Sequence, residues 1–443
     1  MGSGAIPGVK ASRKQLLLAM LPLLLVVACY FTYLLQHAIN VPLADDIYDV
    51  LLPLTKVTEA ESLAGAVDAL YEKHTDHRTI ASRLVYTGQL LVTGEVNFRA
   101  LNFAANLALP LLLLMLYRMI AGSPQRLLLL LPAALVLLQL RVYGITFWTM
   151  ASFAYFYVFV YGFLTVLLLQ NAGPVRLLLA TLTAILASFT LASGQMIWLV
   201  GLASLALQAL LHKSLPRSFL LWWLLAAVAT LALWRAGLGD RIGLGELLQL
   251  FFANPRHYVL YTLTLLGSVF SESSVGVAAS GGTAMLLALC ACTLWRWREA
   301  DLRLELCAWF IVLSVMTMAL GRGFATVDYG LSSRYSFPSV LLLATTWIVL
   351  ASRLQLRHWS LLGPAILLAL LFWGHSINIY SQALQPYMEK RVQNFNRGRY
   401  NAWPHPTKES NAIVALAIEQ GIYSPPARPL PQADMTVWKS AEE

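Results

Sequence analysis

The sequence predicts an all-α, polytopic membrane protein with about 11–12 transmembrane helices, interfacial helices in the first outer loop and a small extracytoplasmic C-terminal tail. Two observations predict this class. Of the 443 residues, 58% are hydrophobic and 12% are charged, against roughly 25% charged in a soluble domain. The apolar residues also fall in runs near the ~20 residues that one crossing needs. No polar stretch is long enough for a large soluble domain.

The elements follow in order. Lys10, Arg13 and Lys14 precede an apolar run from about Gln15 to Ile39. This run is too long for the apolar part of a cleaved leader, and no small-residue cleavage site follows it. It is predicted as a retained first span. Further spans are predicted near 101–120, 126–142, 153–170, 175–192, 195–212, 217–235, 281–297, 304–321, 336–352 and 359–378. The stretch 247–270 is apolar but interrupted by Asn254-Pro255-Arg256-His257, which suits a re-entrant or interfacial segment. With the N-terminus in the cytoplasm, every short inner loop then carries Lys or Arg, as orientation in a bacterial inner membrane requires. Residues 1–380 form the predicted membrane domain. Residues 381–443 form a periplasmic tail over the outer face, too poor in apolar anchors to build a core of its own.

Several chemistries are set aside by composition. The net charge of +9 comes from bases scattered between apolar runs, with no basic stretch interleaved with aromatics, so no nucleic-acid partner is expected. Cys29, Cys290, Cys292 and Cys307 lie in apolar runs and form neither a disulfide framework nor a metal motif. His74, Asp76 and His77 lack a further ligand at a sensible spacing, so no metal site is expected there.

This orientation gathers the unusual residues on the outer side. Asp45 and Asp46 follow the first span directly. A carboxylate there can cap a helix, act as a general base on an acceptor hydroxyl, or share a divalent cation such as Mg2+ or Mn2+ with its neighbour. Arginines are abundant on the side where positive charge is usually depleted, and Arg suits bidentate phosphate recognition. Contact with lipid headgroups is the plainer reading of any one of them. His77, Arg78, Arg83, Arg256, His257, Arg334 and Tyr335 are the candidate phosphate-binding residues. Tyr143 and Trp148 lie in an aromatic cluster that suits an interfacial belt or the stacking of a sugar. Gln195 breaks two apolar runs, and Asp328 lies in the late outer loop; these four are the candidate substrate contacts.

This order of features resembles the GT-C superfamily of integral membrane glycosyltransferases, which use polyprenyl-phosphate-linked sugars. The acidic pair after the first span, the segment HTDHRTIASRL and the late GRGFATVDYGLSSRYSFPSVLL carry the resemblance over about 16–380. It implies that Asp45 or Asp46 is the catalytic base and that His77, Arg78 and Arg334 hold the donor phosphate. It implies a glycan or protein acceptor as partner, together with the lipid bilayer. The chain lacks a sizeable C-terminal soluble domain and a WWDYG-type motif, which argues against transfer of a whole oligosaccharide to asparagine. A transporter or flippase of a lipid-linked or anionic solute is the main alternative, and a ligase of the O-antigen kind is another. A transporter should place polar residues deep within spans, whereas polarity here collects on one side.

Overall fold

The structure, a computed structural model, describes residues 13–73, 78–120, 126–212, 215–236, 244–296, 301–323, 325–354, 359–400 and 407–431. Among these the chain is mainly helical. There is no β-strand, and a single isolated parallel bridge joins Val96 to Tyr423. The all-α polytopic class therefore stands. Nine helical segments among the described residues are long and apolar enough to cross a bilayer. Pro174–Ser188 and Phe337–Arg353, also predicted to cross, are shorter apolar helices of 15 and 17 residues. The stretch 247–270 resolves into two helices broken at Asn254-Pro255, of 10 and 13 residues. Neither alone reaches the ~20 residues of a crossing.

Helix α1 (Arg13–His37) is followed by a π-helical turn (Ile47–Leu51) and the short helices α2 (Leu52–Glu59), α3 (Leu63–Tyr71) and α4 (Ile80–Thr93). Ser62 caps α3 by accepting from the Gly65 amide, and Gly94, at φ +80°, ends α4 in the left-handed conformation that glycine takes without strain. Leu63 is 83% exposed and Val92 is 85% exposed, and Val67, Leu84 and Leu91 are also bare. Apolar rows of this kind on short helices are what lying in the bilayer interface requires.

The bundle proper comprises α5 (Phe98–Asn106), α6 (Ala108–Met119), α7 (Arg126–Leu137), the one-turn α8 (Tyr143–Thr146), α9 (Thr149–Leu169), α10 (Pro174–Ser188), α11 (Ile197–His212) and α12 (Arg217–Arg235). It continues through α13 (Leu244–Ala253), α14 (Pro255–Gly267), α15 (Val275–Arg296), α16 (Arg303–Arg322) and α17 (Phe337–Arg353). One apolar core runs through α6, α7, α9, α16 and α17, and the rings of Phe156, Phe159, Phe310 and Phe337 meet edge-on within it. Two ion pairs, Arg303–Asp301 and Arg353–Glu305, lie at the end opposite the acidic pair.

Helix α18 (Trp359–Asn396) is 38 residues long. At 1.5 Å per residue it measures about 57 Å, nearly twice the ~30 Å of a hydrocarbon core. Its C-terminal part therefore stands clear of the bilayer. Helix α19 (Thr407–Glu419) and the residues after it then fold back onto the turn at 47–51. Ile413, Val414, Ala417, Ile422 and Tyr423 share a second apolar core with Val41, Ile47, Leu51 and Phe98. The tail thus completes a core with the first loop.

Candidate functional site

The acidic pair sits in a turn shaped by unusual backbone. Ala44 has φ +46°, a left-handed conformation that costs a non-glycine residue roughly 1–2 kcal/mol. The π-helical turn begins just after the pair, and such turns recur at functional sites. Asp46 is fully buried. Its Oδ2 accepts from the Leu43 amide at 3.0 Å and its Oδ1 from the Met150 amide at 2.8 Å. Met150 is the second residue of α9, and Trp148 at the start of α9 provides no side-chain cap. Asp46 therefore caps α9 from another part of the chain, where the helix dipole favours an anion. Burial still pushes its carboxyl up to about 7. The two amides and the nearby charge of Arg391 oppose that rise, and Asp45 adds to it. Asp45 is the half-buried member of the pair. Asp49, one turn further, is buried against Arg83 at 3.0 Å and also accepts from the Thr79 hydroxyl.

The predicted phosphate-binding arginines divide into two groups. Arg83 spends Nε and Nη2 on Asp49 and Nη1 on the Leu70 and Glu72 carbonyls. Arg78 donates to the carbonyls of Tyr71, Trp234 and Ala236 and lies 4.0 Å over the Tyr71 ring. Both are buried, and each nitrogen of their guanidinium groups has a protein partner. Arg78 thus ties the α3–α4 corner to the end of α12, and Arg83 ties that corner to Asp49. Arg334 differs. It is half-buried, its Nε is shielded without a hydrogen-bond partner, and it rests on the rings of Tyr329 and Tyr335 at 5.0 and 4.9 Å. Tyr335 is itself buried, with Arg322 above it at 5.9 Å. His257 is half-buried, its Nε2 has no partner, and its ring lies 6.1 Å from Tyr261. The charges of Arg322 and Arg334 both reach Tyr261. Arg256, at the start of α14, is exposed. His77 and the rest of the H-x-D-H segment lie outside the described residues.

The segment 141–150 connects the acids to Arg334. At one end Gly144 packs so closely on Ser333 and Arg334 that a Cβ there would lie 2.5 Å from the Ser333 hydroxyl. At the other end Met150 holds Asp46. Between them Tyr143 faces Tyr380 at 6.1 Å, and Trp148 has a shielded indole N–H without a partner. Gln195 lies half-buried in a 3-10 turn whose Gly194 is pressed onto α10. Asp328 is exposed on the turn before Arg334.

Sequence reasoning missed Arg391 and Tyr387. Both lie on α18 beyond residue 378, where the span was expected to end. The Tyr387 hydroxyl feels Arg391, Asp46, Tyr143 and Arg334 together, so it sits between the acidic turn and the arginine loop. Hydropathy falls beyond residue 378 and Pro386 lies inside the helix, so no clear sequence signal marked the extension. Arg141, 2% exposed, is likewise structural: it donates to the Ser268 and Leu331 carbonyls.

The described residues do not suit a bound cation at the acidic pair. Both oxygens of Asp46 face amide donors, and among the described residues no three His, Cys, Asp or Glu side chains converge. A divalent ion needs about six oxygen ligands. What remains is a half-buried carboxylate, an aromatic-backed guanidinium and an imidazole on one end of an apolar bundle. No protein-family model, no curated protein and no solved structure matches the chain.

Proposed function

We propose that this protein is a membrane glycosyltransferase that moves a sugar from a polyprenyl-phosphate donor to the hydroxyl of an envelope glycan or surface protein. On this reading it lies in a bacterial inner membrane with its site on the periplasmic face. The observation that carries the reading is the joining of the acidic turn to the Arg334 loop through 141–150. The resemblance in feature order to the GT-C enzymes supports it.

Asp45 is the base in this scheme, because Asp46 is occupied in capping α9. The acceptor O–H gives its proton to the Asp45 carboxylate. Its oxygen forms a bond to the anomeric carbon as the bond from that carbon to the phosphate oxygen breaks. The electron pair leaves on the lipid phosphate, and the anomeric configuration inverts. Arg334, with His257 nearby, stabilises the charge gathering on that phosphate. Aromatic backing shields one side of the guanidinium, which strengthens its interaction with an anion.

The test compares envelope glycans and surface-protein masses in a deletion strain restored with wild type, Asp45→Asn or Asp46→Asn. One sugar increment should vanish on deletion, return with wild type and stay absent with Asp45→Asn at normal membrane levels. Asp46→Asn should restore it in part. Equal restoration by wild type and both variants would remove the acids from the chemistry and favour movement of a lipid-linked solute.

A further inference from the structure

Asp46 joins two backbone segments through its carboxylate, one at Leu43 and one at Met150. A second side chain joins the same two segments from the other side. Arg391 donates from Nη1 to the Phe147 carbonyl at 3.1 Å and from Nη2 to the Val41 carbonyl. Val41 lies two residues before Leu43, and Phe147 three before Met150. Arg391 is 6% exposed, its Nε is shielded without a partner, and it forms no direct ion pair with Asp46. An arginine buried to this degree without a carboxylate on it is unusual, because desolvating the charge is costly unless neighbouring groups compensate. Here the compensation comes from two carbonyls and the through-space attraction of Asp46.

We propose that Arg391 is a positioning residue that staples the acidic turn to the start of α9, so that the part of α18 beyond the bilayer sets where Asp45 stands. The inference rests on the glycosyltransferase reading for its effect on rate, but not for the staple. The planar fork of arginine matters because two carbonyls must be reached from one side chain. A lysine would keep the charge and lose the bridge.

Several charged or titratable groups face Asp46. Asp45 is in its own turn, and Asp49 lies one turn on. Arg83 and Tyr86 come from α4, and Tyr387 and Arg391 from α18. Of these, Arg391 and Arg83 are cationic, and Arg83 is committed to Asp49. Arg391 is therefore the cation that favours the ionised form of Asp46.

Two measurements on the full chain in nanodiscs test the proposal. The first is amide hydrogen exchange of wild type, Arg391→Lys and Arg391→Gln. Exchange should accelerate about tenfold or more in peptides covering 38–51 and 143–152 for both variants, as expected when a local closure is weakened, and stay unchanged in α10–α12. Unchanged exchange at 38–51 and 143–152 overturns the staple, whatever the chemistry. The second is sugar transfer. Misplacement of a catalytic group by about 1 Å can cost ~100-fold in rate. Both variants should thus lose kcat by tenfold or more, with KM for the donor moved less than about threefold. Full kcat in Arg391→Lys would show that charge alone suffices and would overturn the bridge. If wild type transfers no sugar from any polyprenyl-phosphate donor, the glycosyltransferase reading falls, and the exchange data alone decide the staple.

Discussion

At the residue scale, two adjacent aspartates have unlike environments. Asp46 is fully buried, accepts two amides and caps α9, while Asp45 is half-buried. Their adjacency was legible in the sequence, but the division of labour was not, because Met150 lies 104 positions away. Burial raises the Asp46 carboxyl to about 7. A folded-state value above the unfolded one means that the native state holds the proton more tightly, so this contribution to stability is complete below the unfolded value and is lost as pH rises through about 7. The melting temperature of wild type minus that of Asp46→Asn should therefore fall between about pH 4 and about pH 7. A flat difference across that window would mean that Asp46 titrates as an exposed carboxyl. The arginines divide in the same way. Arg83→Ala leaves Asp49 buried and uncompensated and should cost about 3–5 kcal/mol in thermal or denaturant unfolding. Arg334→Ala, whose guanidinium carries no ion pair, should keep near-wild-type stability and lose transfer activity. The sequence could not separate these two arginines, since the carbonyls and carboxylate that occupy Arg83 come from Leu70, Glu72 and Asp49, and those that occupy Arg78 lie as far away as Trp234 and Ala236.

At the element scale, apolar length located the long helices well, because a crossing is a one-dimensional property. It located breaks and extensions less well. The break at Asn254-Pro255 was visible because Asn caps and Pro starts a helix, and Asn254 does accept from the His257 amide at 3.4 Å. The extension of α18 was not visible, because hydropathy falls where the helix leaves the bilayer while its hydrogen bonding continues. That is how Arg391 was placed in the tail over the outer face rather than on the last helix. The contact between α14 and α15 also depends on residues whose reason appears only in three dimensions. A Cβ on Gly267 would lie 1.8 Å from the Ala278 carbonyl oxygen, and one on Gly282 would lie 2.1 Å from that of Leu263. Both obstacles are backbone, so neither can rotate away. Gly267→Ala and Gly282→Ala should each force the pair apart and cost about 1–3 kcal/mol. Melting of the two variants in nanodiscs measures it, and wild-type stability would show that the helices are not locked at this crossing.

At the scale of the whole molecule, the polar residues of the acidic turn, the 141–150 segment, the Arg334 loop and the upper part of α18 meet at one end of an apolar bundle. The opposite end carries the Arg353–Glu305 pair. The C-terminal fold-back packs on the site end. The Tyr423 hydroxyl donates to the Asn40 carbonyl at 2.8 Å, Asn40 Nδ2 donates to the Ser424 carbonyl at 3.1 Å, and Asn40 Oδ1 accepts the Phe98 amide at 2.8 Å. Asn40 thus joins the tail, the entrance to α5 and the loop that leads into Asp45. Two changes separate the contributions. Tyr423→Phe keeps the ring, which packs edge-on against Phe98 at 5.5 Å, and loses one hydrogen bond, so it should cost about 1 kcal/mol. Tyr423→Ala also opens the shared apolar core and should cost about 3 kcal/mol or more. If the tail holds the acidic turn in place, Tyr423→Ala should depress transfer more than its loss of stability explains at a temperature where it is fully folded. Rates that simply follow the folded fraction would reduce the tail to a stabilising clamp with no influence on the geometry of Asp45.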